Sequence, residues 1–360
     1  MKKTIIPMGP QHPALPEPLI LDLVLEDETV VDAIPGIGYV HRGLEAMVER
    51  VEFTELGSIT ERICGICSFM HGLGYSLAIE SLMNVEVPER ARMLRVAWAE
   101  LSRIQSHLLW LGLAADAFGF ENLFMHSWRL RERILDIFER TTGGRIIFGV
   151  CRIGGVKRDV TNQALQDVVK ELDVVATEVK EIARVFTEDS SIRHRLCGVG
   201  LLSAEDAHSL GAVGPMARAS GVAFDVRTTG CLEYSRLRFE PIVEKDGDCM
   251  ARCRVRLREV QQSIDLIRQV VALMPADGSP VDTKVRGTPN GECFIRLEQP
   301  RGEVVYFIRA NGTKYLERFR ARTPTFANVP AMIKLVKGCN LADVPNIILT
   351  IDPCISCTER

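Results

Sequence analysis

Two Cys-x-x-Cys pairs stand near opposite ends of this 360-residue chain, Cys64-Gly65-Ile66-Cys67 and Cys354-Ile355-Ser356-Cys357. A two-residue spacer lets both sulfurs of a pair turn toward one point, and two pairs supply four soft donors, enough to surround a metal ion. Zinc ribbons place their pairs roughly 15 to 20 residues apart and close a local knuckle. Here 287 positions separate Cys67 from Cys354. A site shared by both pairs has to be assembled by the whole fold, which points to a functional centre rather than a local staple. The competing reading of the same thiolates is a tetrahedral structural zinc site.

The chain carries 11 cysteines, an odd count, and no secretory segment: Met1-Lys2-Lys3 leads only to Thr4-Ile5-Ile6 before Pro7, Gly9 and Pro10 break any apolar run. The expected compartment is the reducing cytosol, where thiols stay free as small buried hydrophobes or metal ligands. Cys151, Cys197, Cys231, Cys293 and Cys339 read as inert, and so do Cys249 and Cys253 despite their spacing of four. The longest apolar stretch, Leu108 to Phe120, is interrupted by Asp116 and is too short for the roughly 20 residues of a membrane span. A net charge of -3 gives no basic footprint, so nucleic acid is not an expected partner.

Apolar side chains recur every three or four residues at Leu94, Ala97, Trp98, Leu101, Ile104, Leu108 and Leu111, and again at Leu165, Val168, Leu172, Val175, Val179, Ile182 and Phe186. Leu257, Val260, Ile264, Ile267, Val271 and Met274 form a third stripe, and Trp128 to Arg140 reads as a further helix. About four long helices are enough for a bundle. Alternation over Leu19–Leu25 and Thr29–Ile34 predicts an N-terminal hairpin. The runs 292–297 and 304–308, flanking Gln299-Pro300-Arg301-Gly302, predict a second near the C-terminus. The segment 197–240 is glycine-richer and reads as loops and short helices. The expected fold class is therefore mainly α with small β elements (α+β), a single domain over 1–360 with the metal site joining the two chain ends.

The strings Glu61-Arg62-Ile63-Cys64-Gly65-Ile66-Cys67 and Asp352-Pro353-Cys354-Ile355-Ser356-Cys357 resemble the two signature motifs of nickel-iron hydrogenase large subunits. Gly9-Pro10-Gln11-His12-Pro13-Ala14, Gly38-Tyr39-Val40-His41-Arg42-Gly43-Leu44-Glu45, Pro300-Arg301-Gly302-Glu303 and Arg322-Thr323-Pro324-Thr325-Phe326 narrow the likeness. Together they are similar to the group 4, energy-converting (Ech-type) membrane-bound hydrogenases and to the related 49-kDa subunit of respiratory complex I. The complex I relatives lack the four cysteines, so the resemblance favours a catalytic hydrogenase subunit over a non-catalytic complex I-like one.

The resemblance implies a nickel ion held by Cys64, Cys67, Cys354 and Cys357, with Cys67 and Cys357 shared with an iron that carries carbonyl and cyanide. It implies that Cys354 and Glu17 handle the proton, and that Arg322 lies over the site and pairs with Asp352. Pro324 and Thr325 would line the diatomic ligands, and His71 would donate to a thiolate. His12 and His41 match family strings without becoming ligands. Where soluble relatives end in a histidine that helps hold magnesium with the residue matching Glu45, this chain ends Thr358-Glu359-Arg360. Arginine has donors only, so a Glu45–Arg360 ion pair is expected there and magnesium is not. The implied partners are a small subunit carrying an iron-sulfur cluster, integral membrane subunits and ferredoxin as electron donor. The implied location is peripheral, on the cytoplasmic side of the cell membrane.

Overall fold

The computed structural model describes residues 3–360. An antiparallel sheet opens the fold, with β1 (Lys3–Met8), β2 (Ile20–Glu26) and β3 (Thr29–Gly36) in that spatial order. β2 shows why a period of two makes a half-buried strand: Leu21, Leu23 and Leu25 turn inward while Asp22, Val24 and Glu26 turn outward. The predicted hairpin is β2 and β3. β1 is an addition, hidden in the sequence because prolines interrupt its neighbourhood and five of its six residues are exposed.

Next comes α1 (Ser68–Met83), which the sequence did not announce. Its residues 68–76 are all buried, polar and apolar alike, so no contrast between faces remains for periodicity to detect. Four long helices follow, α2 (Glu89–Ala117), α3 (Glu121–Thr142), α4 (Asn162–Glu188) and α5 (Cys249–Ala272), the bundle that the stripes predicted. α4 buries the seven expected residues from Leu165 to Phe186, each contributing roughly 1.5–3 kcal/mol of transfer free energy. Its start is fixed by Thr161, whose hydroxyl accepts the Ala164 N–H. Asp248 caps α5 in the same way through Ala251. α2 is the central helix, buried nearly all round, and the arginines Arg90, Arg95 and Arg103 on it are sheathed in ion pairs and carbonyls. The stretch between α4 and α5 is loops and short helices, as its glycines suggested.

The C-terminal third holds a second three-stranded antiparallel sheet, β4 (Asn290–Gln299), β5 (Gly302–Asn311) and β6 (Leu316–Arg322), followed by α6 (Pro324–Val336), α7 (Val344–Ile351) and the short α8 (Ile355–Thr358). The predicted hairpin is β4 and β5, in register from Asn290↔Asn311 to Gln299↔Gly302, so only Pro300 and Arg301 form its tip. That tip is pressed against Gly214, where a Cβ would overlap the Arg301 carbonyl oxygen, and Gly302 (φ +130°) makes the turn away. The hairpin thereby drives Glu298, Gln299 and Arg301 into the interior. No helix among the described residues is long and apolar enough to cross a membrane.

Candidate metal centre

A short 3-10 turn, Glu61–Ile63, delivers Cys64, and Cys67 stands at the N-terminus of α1. The chain folds back between them so that the N–H groups of Ile66 (3.2 Å) and Cys67 (3.4 Å) both donate to Cys64 Sγ. The second pair is delivered by a break in helix: Asp352 leaves α7 in the left-handed region (φ 59°), Pro353 follows, and Cys354 begins α8. The two pairs meet sulfur to sulfur, Cys64 with Cys354 and Cys67 with Cys357, each at 3.4 Å. Both separations exceed the roughly 2 Å of a disulfide, and all four thiols are free and at most 2% exposed. The hydrogen bond from Cys357 pushes the Cys67 thiol down to about 6, while hydrogen bonds to Cys354 and its neighbours hold Cys357 well above the usual thiol range.

Three groups outside the cysteines hold this geometry. Arg42 donates to the carbonyls of Arg62 (2.9 Å), Ile63 (2.8 Å) and Ser356 (3.1 Å), stapling one Cys-x-x-Cys turn to the other. Thr325 Oγ1 accepts the Cys354 N–H at 3.0 Å, and the Thr323 hydroxyl donates to the Cys357 carbonyl at 3.1 Å. Pro324 lies between those threonines as the first residue of α6, buried. Thr325 thus grips the backbone of the cluster in the structure.

Asp352 is buried beside Cys354, and its partner is Arg301. Nη2 of Arg301 donates to Asp352 Oδ1 (2.7 Å), Nε to the Asp352 carbonyl (2.9 Å), and Nη1 to Ser106 Oγ (3.3 Å). Burial opposes the Arg301 charge, but Asp352 and the cluster thiolates around it hold the guanidinium protonated. The expected Arg322–Asp352 pair is absent. Arg322, at the end of β6, instead donates to Glu303 Oε2 at 2.9 Å with its side chain 34% exposed. The reason is the hairpin: its two-residue tip aims Arg301 inward and leaves the β6 arginines at the rim. Both arginines lie in recognised strings, and only the tip's burial tells them apart.

Glu17, in the loop before β2, reaches across to accept the Ile355 N–H, one residue past Cys354. Burial, reinforced by nearby Cys354, pushes its carboxyl up to about 8. His71, one turn into α1, lies with Nε2 3.4 Å from Cys357 Sγ and Nδ1 2.8 Å from the Tyr306 hydroxyl. Burial pushes its pKa down to about 4, so the ring is neutral. His12 and His41 stay away from the sulfurs: His12 Nδ1 accepts the Ala14 N–H, and His41 Nδ1 is 2.8 Å from the Glu359 carbonyl. Glu45 pairs with Arg360 Nε at 2.7 Å, accepts the Ala321 N–H at 2.9 Å and meets Arg320 at 2.5 Å. Donors therefore surround its carboxylate, an environment for an arginine rather than a divalent cation. Arg42, Thr323, Tyr306 and Arg301 are the site residues that sequence reasoning left without a role.

Four buried, unbridged thiols, with the His71 ring nitrogen grouped beside Cys67 and Cys357, make a donor set suited to soft metals such as nickel, iron or zinc. A mainly helical fold that closes two Cys-x-x-Cys turns into one such cluster is the arrangement that the resemblance to nickel-iron hydrogenase large subunits led one to expect. Comparison with known proteins bears this out at the level of family. Residues 118–288 and 280–360 match the family model described as "Respiratory-chain NADH dehydrogenase, 49 Kd subunit", and residues 42–113 match "Nickel-dependent hydrogenase". The chain is 38% identical to the carbon monoxide-induced hydrogenase of Rhodospirillum rubrum over 100% of both chains. It is 36% identical to the membrane-bound hydrogenase subunit alpha of Pyrococcus furiosus over 99% of this chain and 87% of that one. A chain in the structure of the membrane-bound sulfane sulfur reductase, an archaeal respiratory membrane complex, superposes with a TM-score of 0.94 at 30% identity, covering 99% of this chain and 98% of that chain. The chain belongs to the family of energy-converting, membrane-bound nickel-iron hydrogenase large subunits and their complex I 49-kDa relatives.

Proposed function

We propose that this chain is the catalytic large subunit of an energy-converting hydrogenase, interconverting two protons and two electrons with hydrogen. The observation that carries this is the meeting of all four cysteines in one buried cluster, 3.4 Å apart within each pair that joins the two Cys-x-x-Cys turns. Cys64, Cys67, Cys354 and Cys357 would hold nickel, with Cys67 and Cys357 shared with an iron bearing carbonyl and cyanide. When bound, such a centre supplies a redox-active Lewis acid at which hydrogen can be formed or split.

The remaining chemistry belongs to side chains. Arg301 keeps a fixed positive fork beside the thiolates and, with Asp352, excludes water from that wall. Glu17 stands at the Cys354 end with a carboxyl able to hold or release a proton near neutral pH, the property a relay needs. Pro324 and Thr325 shape the α6 wall, and His71 offers a donor to Cys357. Electrons must arrive from outside, since the chain has too few other cysteine motifs to ligate clusters. A small iron-sulfur subunit, ferredoxin as donor and integral membrane subunits for ion translocation complete the reading. The chain would sit peripherally on the cytoplasmic side.

Elemental analysis with infrared spectroscopy tests the centre. Nickel, iron and carbonyl and cyanide bands are expected. Zinc alone would make the cluster a structural site, and no metal would favour a complex I-like role. The reductase with the same fold gives a second assay, reduction of sulfane sulfur by the purified complex, for which hydrogen evolution is expected to dominate. Glu17→Gln should abolish hydrogen/deuterium exchange while nickel and iron stay bound; normal exchange would remove Glu17 from the proton path.

A further inference from the structure

His71 is not alone at the cluster. Its ring is fully buried, none of its ring hydrogen bonds goes to a carboxylate, and a neutral imidazole carries a single N–H. Which nitrogen bears that proton decides whether Cys357 faces a donor or a lone pair. We infer that Tyr306 makes this choice: its hydroxyl donates to His71 Nδ1 and so fixes the tautomer whose Nε2–H points at Cys357 Sγ. Tyr306 is thus a positioning residue for the metal centre, an inference that rests on reading Cys357 as a ligand.

The hydroxyl has one proton and two acceptors in reach, His71 Nδ1 at 2.8 Å and the Met70 carbonyl at 3.4 Å. Were Nδ1 to carry the ring proton, the hydroxyl's own hydrogen would be left with the Met70 carbonyl at 3.4 Å, whereas donation to Nδ1 gives it the 2.8 Å contact. Gln299 Nε2 lies 3.5 Å from both the Tyr306 oxygen and His71 Nε2. In the inferred tautomer Nε2 bears hydrogen and cannot accept, so the amide N–H donates to the tyrosine oxygen. Three donors then run in one direction, Gln299 to Tyr306, Tyr306 to His71, and His71 to Cys357 at 3.4 Å. Hydrogen bonds onto a ligating sulfur draw electron density from it and tune the metal it holds.

The fold supports this contact on both sides. Tyr306 comes from β5 and Gln299 from β4, both completely or almost completely buried. α1 admits the tyrosine only because residue 74 is glycine, where a Cβ would overlap the phenol ring. The two rings cross at 88° with centroids 6.0 Å apart, and the hydroxyl lies 2.8 Å from Nδ1.

Nitrogen-15 spectroscopy of the histidine-labelled full-length chain without metal reads the tautomer directly, His71 being assigned by its loss in His71→Gln. The wild type should show Nε2–H only, and Tyr306→Phe should lose that pattern in favour of Nδ1–H or a mixture. A wild-type ring protonated on Nδ1 would overturn the inference whatever the variant does, and so would an unchanged pattern in Tyr306→Phe. In the metal-loaded complex, Tyr306→Phe should shift the carbonyl and cyanide infrared bands, and unshifted bands would deny Tyr306 its effect on the centre. A chain that takes up no nickel or iron sinks the proposed function without altering the tautomer readout, so the two can fail separately.

Discussion

Arg301 and Arg322 differ by environment alone, and that difference sets the cost of removing each. Arg301→Leu removes the hydrogen-bonded partner of the buried Asp352 carboxylate and leaves it only Arg256 Nε at 4.0 Å, a loss toward the lower end of the about 3–5 kcal/mol for broken buried pairs. Arg322→Leu removes one partner of Glu303 from a partly exposed site where Arg296 remains, a loss of under about 1 kcal/mol. Urea unfolding of the two variants should separate them by several-fold, and equal losses would return Arg322 to the centre. Glu61 provides a pH test. It is 2% exposed, with Oε2 lacking a hydrogen-bond partner, and burial pushes its carboxyl from 4.5 up to about 7. A carboxyl raised by folding binds its proton more tightly in the native state. Its stabilising contribution is therefore complete below 4.5 and is lost as pH rises through about 7. Between pH 5 and 8 the stability of Glu61→Gln relative to wild type should rise by roughly 2–3 kcal/mol. A difference independent of pH would show that Glu61 is ionised throughout.

At the scale of elements, α1 carries the most information per residue and was the least legible. Its glycines are contact points: a Cβ at Gly72 would stand 2.7 Å from Glu61 Oε1, and one at Gly74 would enter the Tyr306 ring. Alanine normally gains up to about 1 kcal/mol over glycine within a helix, whereas forcing a methyl into a packed wall costs about 1–3 kcal/mol. Gly74→Ala should therefore destabilise by thermal unfolding, against its propensity; a raised melting temperature would mean that Tyr306 yields easily. The long helices could be read because each opposes one apolar face to a polar one, as α4 does. α1 could not, since Ser68, His71 and Ser76 are buried among its apolar residues. The third strands, β1 and β6, went unread for a related reason: their exposed and charged residues show an edge strand only once a neighbour pairs with it. Of the site, the four thiols were legible from spacing. Which arginine turned inward was not, because that depends on a two-residue hairpin tip packed against Gly214, some ninety positions away in sequence.

For the whole molecule, the cluster turns the chain into a loop closed at its ends, with about 290 positions between the members of each sulfur pair. A mild diazenedicarboxamide oxidant takes two hydrogens from a thiol pair and is itself reduced to the hydrazine, leaving a disulfide. In metal-free protein it should cross-link Cys64 to Cys354 and Cys67 to Cys357, since these are the sulfurs in contact. Four of the 11 thiols would then resist alkylation, and the product would run faster on a non-reducing gel. Closing so long a loop removes much of the unfolded chain's freedom, so the oxidised form should gain on the order of 5–6 kcal/mol against urea. With a soft metal bound to all four sulfurs the same oxidant should leave them untouched. Peptide mapping decides the matter. Disulfides confined within Cys64–Cys67 and Cys354–Cys357 would mean that the two ends do not meet in solution, and both the shared centre and the chain closure it depends on would be lost.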